Sequence, residues 1–239
     1  LVADEYFGKL IKDLEVWGVL DDTAIMLSSD HGETLGELNV YGDHQTADQL
    51  TTRVPMILKW PGADNLNGKK FDAFHYQIDV SATLIELLGG RVPQSWDGCS
   101  FAESLNQGKD QGREHLILSQ GAWTCQRAVR WDDYILIQTL HDGYHLYDDI
   151  MLFDLSNDPH ELRNLAGDHP SLVSIGESKL NRWHEEMMLD AARGRDPLHN
   201  VIEEGGPYHV RGQLENYLTR LRDTGRSELA DRLKAKHIE

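Results

Sequence analysis

Cysteine is scarce in this chain of 239 residues: there are two, Cys99 and Cys125. Neither sits in a C-x-x-C pair, so a zinc cluster or a redox dithiol has no support. A disulfide scaffold does not suit a chain this long, although a single bridge between the two stays open. Long apolar runs are missing too; none approaches the roughly 20 residues that span a bilayer. Positive charge is in short supply, with 23 Lys and Arg against 40 Asp and Glu and a formal charge of −17. Such a surface argues against a nucleic-acid backbone as partner and suits the holding of cations. There is no initiator Met, no signal peptide and no tag. The chain opens Leu1-Val2-Ala3-Asp4-Glu5 directly into a helical pattern, as a piece of something larger would. The cellular compartment stays open.

What is present is enough for a packed core: 40% of residues are apolar and 8% are aromatic. Residues 3–17 carry Tyr6, Phe7, Leu10, Ile11 and Leu14 at spacings of three and four, one apolar helix face, with Gly18 as its stop. Residues 23–28 form an apolar run of strand length, read as a buried parallel strand. Residues 29–50 are polar, Gly-spaced and without periodicity, a long loop of the kind that usually carries function. A second strand at 54–60 closes in Pro61-Gly62. A helix over 79–88 follows, with Asp79 as N-cap, Leu84, Leu87 and Leu88 inside, and Gly89-Gly90 at its end. This rhythm is that of an α/β layer. From about residue 112 the pattern changes to short strand candidates at 116–118, 127–130, 134–139, 145–147 and 151–154, a small antiparallel sheet. A helix over 170–191 and a tail with helices near 210–222 and 226–236 complete the chain. The division expected is 1–111 for the α/β part, 112–195 for the sheet with its long helix, and 196–239 for the helical tail.

The segment that carries chemistry is Ser28-Ser29-Asp30-His31-Gly32-Glu33. It lies where the first strand ends, and ligands in open α/β sheets gather beyond the carboxyl ends of strands. Asp30 and His31 offer an oxygen and a nitrogen to one cation, and Gly32 lets the backbone pass close by. The plainer reading is an Asp–Gly turn with a solvated histidine. A dozen residues on, His44 is a second candidate, because imidazole titrates near neutral pH and can bind an anion or pass a proton.

The string 18–62 resembles the sulfatase branch of the alkaline-phosphatase superfamily. Gly18-Val19-Leu20-Asp21-Asp22-Thr23 matches its G-x-L-x-x-T entry to a strand, and Ser29 to Glu33 its S-D-H-G-E string. Val54-Pro55-Met56-Ile57 and Trp60-Pro61-Gly62 match its next strand, 79–89 its D-x-x-x-T-L-x-x-L-x-G helix, and Asp97-Gly98-Cys99-Ser100-Phe101 a further familiar segment. Residues 152–165 resemble its L-Y-D-L-x-x-D-P-x-E-x-x-N-L signature. The resemblance covers roughly 3–190. It implies the C-terminal part of an alkaline-phosphatase-like sulfatase layer, hydrolysis of sulfate esters, and a substrate that is a sulfated small molecule or glycan. It implies one divalent metal at Asp30 and His31, calcium by family habit, with manganese or magnesium open. Imidazole suits the softer ions better than calcium. His44 would touch the sulfate group or the leaving oxygen, where Lys is usual in the family. The family nucleophile, a formylglycine made in a C/S-x-P-x-R motif, has no counterpart: Ser-Phe-Ala follows Cys99 and Gln-Arg-Ala follows Cys125. The first pair of Asp ligands is absent as well. Both belong to an N-terminal half, without which the chain is expected to be inactive. Rival readings are a phosphonate monoester or phosphodiester hydrolase of the same superfamily, and a non-catalytic binding module derived from the fold.

Other signals fall away. Asp154-x-Ser156-x-Asp158 opens like an EF-hand, but Pro159 stands where Gly is needed and Leu165 where a bidentate Glu is needed. His184-Glu185-Glu186-Met187-Met188 lacks the second His of a zinc-protease helix. Arg53 reads as a solvated strand-flanking charge. The tail reads as a helical hairpin on its own domain, or as an arm docking on a second copy to make a homo-oligomer.

Overall fold

The computed structural model describes residues 2–63, 66–190 and 194–237. Residue 191, the expected last residue of the long helix, lies outside the described residues, as do 1, 64–65, 192–193 and 238–239. The fold is mixed α/β, and the chain forms two compact units, Leu1–Asp30 with Val54–Arg113 and His31–Arg53 with Glu114–Glu239. Residues 31–53, between two strands of the first unit in sequence, thus group with the second. No described helix is long and apolar enough to cross a membrane.

The first unit holds α1 (Val2–Val16), β1 (Ile25–Ser28), β4 (Met56–Lys59), α3 (Gln77–Leu87) and α4 (Ala102–Gln107). Helix α1 stops where the sequence says it should. Gly18 takes φ +69°, its N–H reaches the Glu15 carbonyl, and the Val19 N–H reaches Leu14, a Schellman closure. Two expectations fail here. β1 pairs antiparallel with β4, not in a parallel sheet, and Met26, Leu27, Met56 and Ile57 on the pair are exposed. The apolar face of α1 is not buried either, with Tyr6 65% and Leu10 49% exposed. A four-residue apolar run has no alternation to show which neighbour it will take.

Helix α3 begins two residues earlier than expected. Asp79 is not its N-cap but its third residue, and its carboxylate accepts the Tyr76 N–H at 2.7 Å as half of a capping box. Gly89 ends the helix at φ +79°, but Leu88 is exposed rather than inside. Asp79 is fully buried and also accepts the Cys99 N–H at 2.7 Å and a forked pair of bonds from Arg113, one of them at 2.8 Å. One carboxylate thereby ties the start of α3, the segment at Cys99 and the end of the unit together.

The second unit is built on a four-stranded antiparallel meander, β5 (His115–Gln120), β6 (Cys125–Trp131), β7 (Tyr134–His141) and β8 (Ile150–Asp154). One face buries Ala128, Ile135, Ile137, Met151 and Phe153; the other packs Val129, Trp131, Leu136 and Leu152 against Leu180 of α5 (Pro170–Asp190). The expected strand at 145–147 does not form. Tyr144 and Leu146 adopt φ +71° and +59°, which no strand allows. Both side chains turn instead toward the tail, packing on Leu218, Ala230 and Leu233 of α7 (Leu214–Asp223) and α8 (Ser227–His237). A further helix, α6 (Pro197–Glu203), precedes these and is capped by Asp196. The tail therefore packs on its own unit. Its start is held by the buried Arg127–Asp196 ion pair and its end by Lys236, whose Nζ donates to the Tyr147 carbonyl at 2.6 Å.

Candidate metal centre on a short hairpin

The segment expected as a bare loop contains structure: β2 (Thr34–Leu35), a 3-10 turn at Glu37–Asn39, β3 (Tyr41–Asp43) and α2 (Gln49–Thr52). β2 and β3 pair antiparallel with Thr34 opposite Asp43, and the Thr34 hydroxyl donates to the Asp43 carbonyl at 2.7 Å. Residues just before Thr34 and just after Asp43 therefore lie side by side. That register brings His31 and His44 together, their rings stacked with centroids 3.8 Å apart. Glu33 joins them: one ligand atom from each of His31, Glu33 and His44 lies within 4.8 Å of the others. A cation bonded at about 2.0–2.3 Å has ligands about 3–4.5 Å apart, so small rotations close this group on one ion. His31 Nδ1 is 2.7 Å from the Gly32 carbonyl. A carbonyl only accepts, so Nδ1 carries the hydrogen and Nε2 the lone pair a metal needs.

Asp30 is the last residue of the first unit and is exposed; His31 is the first residue of the second. Glu33 was not singled out as a ligand from sequence, although it is the final letter of the S-D-H-G-E string.

The support beneath the hairpin is polar and buried. The Gly32 N–H donates to the Thr51 carbonyl at 2.7 Å, and a Cβ on Gly32 would overlap the Leu50 carbonyl oxygen. Only glycine lets these two stretches of backbone meet. Asp48, fully buried, caps α2 by accepting the Thr51 N–H and hydroxyl, each at 2.8 Å, and also the Thr46 hydroxyl. The Ala47 N–H donates to Gln126 of the sheet at 3.0 Å. Beside it, Glu161 accepts the Gln49 N–H at 2.9 Å through one oxygen; its other oxygen has no hydrogen-bond partner among the described residues. Burial, reinforced by Asp48, pushes the Glu161 carboxyl up to about 8. Asp43 behaves oppositely. Burial works against its charge, but the Gln45 amide, the His44 N–H and the nearby His44 and His209 hold it below the ordinary carboxylate range. His44 itself is tied by its carbonyl to Gln120 Nε2 at 2.8 Å. None of Asp48, Gln126 and Glu161 was legible as site support, because nothing in their local sequence marks burial.

The fold is that of solved sulfatases. One of them, BT4656, solved in complex with D-glucosamine-2-N,6-O-disulfate, superposes with a TM-score of 0.62 at 22% identity, covering 81% of this chain and 40% of its own. The family model for N-sulphoglucosamine sulphohydrolase, C-terminal, matches residues 36–188. The chain belongs to this sulfatase family, within the alkaline-phosphatase superfamily. Among curated relatives, the multifunctional alkaline phosphatase superfamily protein PehA of Trinickia caryophylli is 32% identical over 205 residues, covering 75% of this chain and 38% of that protein. The ulvan-active sulfatase of Formosa agariphila is 28% identical over 204 residues, covering 81% and 39%. The chain thus spans about two fifths of the length of these relatives.

Proposed function

We propose that the protein carrying this chain hydrolyses sulfate esters of a sulfated small molecule or glycan with the help of one divalent cation. The observation that carries the reading is the meeting of His31, Glu33 and His44 on one hairpin in a chain of sulfatase family. Asp30 and His31 would hold the cation, with Glu33 completing the donor set. Calcium is the family's habit, but an imidazole in the donor set suits manganese better. Bound there, the cation supplies Lewis acidity toward an anionic ester. His44 is within reach of the same anion and can donate a proton to the oxygen that leaves. Asp43, kept ionised, orients His44: its Oδ1 accepts the His44 N–H at 2.8 Å and lies 3.4 Å from Nδ1. The nucleophile, a formylglycine in this proposal, is not among these residues, since neither Cys99 nor Cys125 lies in a C/S-x-P-x-R motif.

The test uses the whole protein and an aryl sulfate. Asp30→Ala or His31→Ala abolishes hydrolysis, and chelation followed by metal analysis identifies the ion lost. Wild-type rates in either variant, or rates indifferent to chelation, refute the assignment. A second reading within the same superfamily, to which a relative named as multifunctional belongs, is phosphonate monoester or phosphodiester hydrolysis. Faster turnover of an aryl phosphonate than of the matching aryl sulfate would establish it.

A further inference from the structure

Beyond the hairpin, one feature of the second unit gathers aromatic side chains beside the candidate site. The turn between β5 and β6 connects the candidate site to the tail. Gln120 spans the junction: its Nε2 donates to the His44 carbonyl at 2.8 Å, while its Oε1 accepts the N–H groups of Gly121 and Ala122, each at 2.9 Å. On the same turn the Thr124 hydroxyl donates to the Gln45 carbonyl at 2.8 Å. The Ala122 carbonyl accepts the His209 N–H of the tail at 3.0 Å. This clamp sets the His209 ring flat against the Trp123 indole, with centroids 4.4 Å apart and planes 22° apart. Tyr208 meets His209 edge-on at 5.3 Å and is 76% exposed. His209 is also close enough to Asp43, the residue before His44, for their charges to interact.

Tyr208 and His209 are exposed and Trp123 is half-buried, and rings at a surface normally have no reason to be held in register. Here backbone bonds fix them, and the Arg211 guanidinium bonded to the Gly206 carbonyl at 3.0 Å braces the segment that carries them. Trp123 and His209 cover one face of each other, and the assembly combines aromatic surface suited to C–H groups with polar edges (the Tyr208 hydroxyl and a His209 nitrogen) suited to hydroxyls. A saccharide ring offers that combination: an axial C–H face and an equatorial rim of O–H groups. We propose that Trp123, Tyr208 and His209 form a shelf that binds the sugar ring whose sulfate lies at His44. The inference rests on the sulfatase reading for the position of the sulfate, and deepens it by assigning specificity to the tail.

The experiment is isothermal titration of the whole protein with N-acetylglucosamine 6-sulfate and, separately, with inorganic sulfate. Wild type is expected to bind the sugar sulfate at least tenfold more tightly than sulfate alone. Trp123→Ala and His209→Ala each lower the sugar affinity about tenfold and leave the sulfate affinity unchanged. Tyr208→Ala, at an exposed position, serves as the variant that folds regardless and should lose a smaller factor. Unaltered sugar affinity in the variants, or no preference for sugar sulfate over sulfate in wild type, overturns the shelf. Shelf-dependent binding without turnover of any sulfate ester keeps the shelf and overturns the sulfatase reading. Aryl sulfate turnover without shelf-dependent binding does the reverse.

Discussion

Replacing Glu161 by Gln should stabilise the protein, and more so as the pH rises. Glu161 is 1% exposed, its backbone has φ +53°, and the acidic groups of Asp48, Asp158 and Glu37 face it, with Arg130 as the cation nearby. In the unfolded chain its carboxyl ionises at its ordinary value of 4.5; folded, it holds its proton up to about 8. Below the lower value both states are protonated and the contact with the Gln49 N–H comes at no electrostatic cost. Above it, folding must take up a proton that the unfolded chain has released, at about 1.4 kcal/mol per pH unit. The stability present below the unfolded value is therefore lost as pH rises through about 8. At pH 7 the loss is about 3 kcal/mol by the same rule. Gln keeps the carbonyl that accepts the Gln49 N–H and has no proton to take up. Thermal melts followed by intrinsic fluorescence should show wild type and Glu161→Gln coinciding near pH 4.5 and separating by roughly 6–12 °C at pH 7. Melting temperatures that track each other from pH 5 to 9 refute a neutral buried carboxyl at this position.

Three further outcomes are expected. Gly32→Ala drives a methyl into the Leu50 carbonyl oxygen, and since overpacking costs about 1–3 kcal/mol even where side chains can yield, melting temperature and aryl sulfate turnover should both fall; wild-type values for both refute the tight backbone contact. Arg113→Ala leaves the fully buried Asp79 carboxylate without its forked partner, at a cost of about 3–5 kcal/mol by the rule for broken buried pairs, read by urea unfolding; a loss under about 1 kcal/mol, the scale of a surface pair, refutes that role. Leu218→Ala empties a fully buried site between α7 and α8, for which about 2–5 kcal/mol is expected; limited proteolysis should then cut the tail ahead of the sheet, and simultaneous digestion refutes a separately weakened tail.

How much was legible depended on whether local pattern and tertiary context agreed. The meander from β5 to β8 and the helices α5, α7 and α8 were readable because their apolar spacing matches the faces they bury. Residues 145–147 misled because an alternating aromatic pattern looks the same whether the chain is extended or, as here, twisted into left-handed turns at Tyr144 and Leu146 to feed the tail's core. Helix α3 was found but mis-started, since an Asp at the third position of a capping box looks like an N-cap from sequence. At the candidate site, His31 and His44, which the structure brings together, stood out by residue type and place along the chain, as did the neighbouring Asp30. Glu33 joined them only through the pairing of Thr34 with Asp43, a non-local fact. Glu161 lies more than a hundred positions from the loop it supports, and no spacing rule reaches that far.

The hairpin has an evolutionary and engineering consequence. Surface loops ordinarily tolerate added or deleted residues cheaply. Between Gly36 and Val40, whose backbones close on each other at 2.8 Å, the chain acts as a ruler that determines how far His44 travels back toward His31. One residue more or fewer flips the returning strand and turns the second imidazole to its opposite side. Length, more than composition, is what this short stretch must preserve, and indel scanning should find it as intolerant as any buried strand.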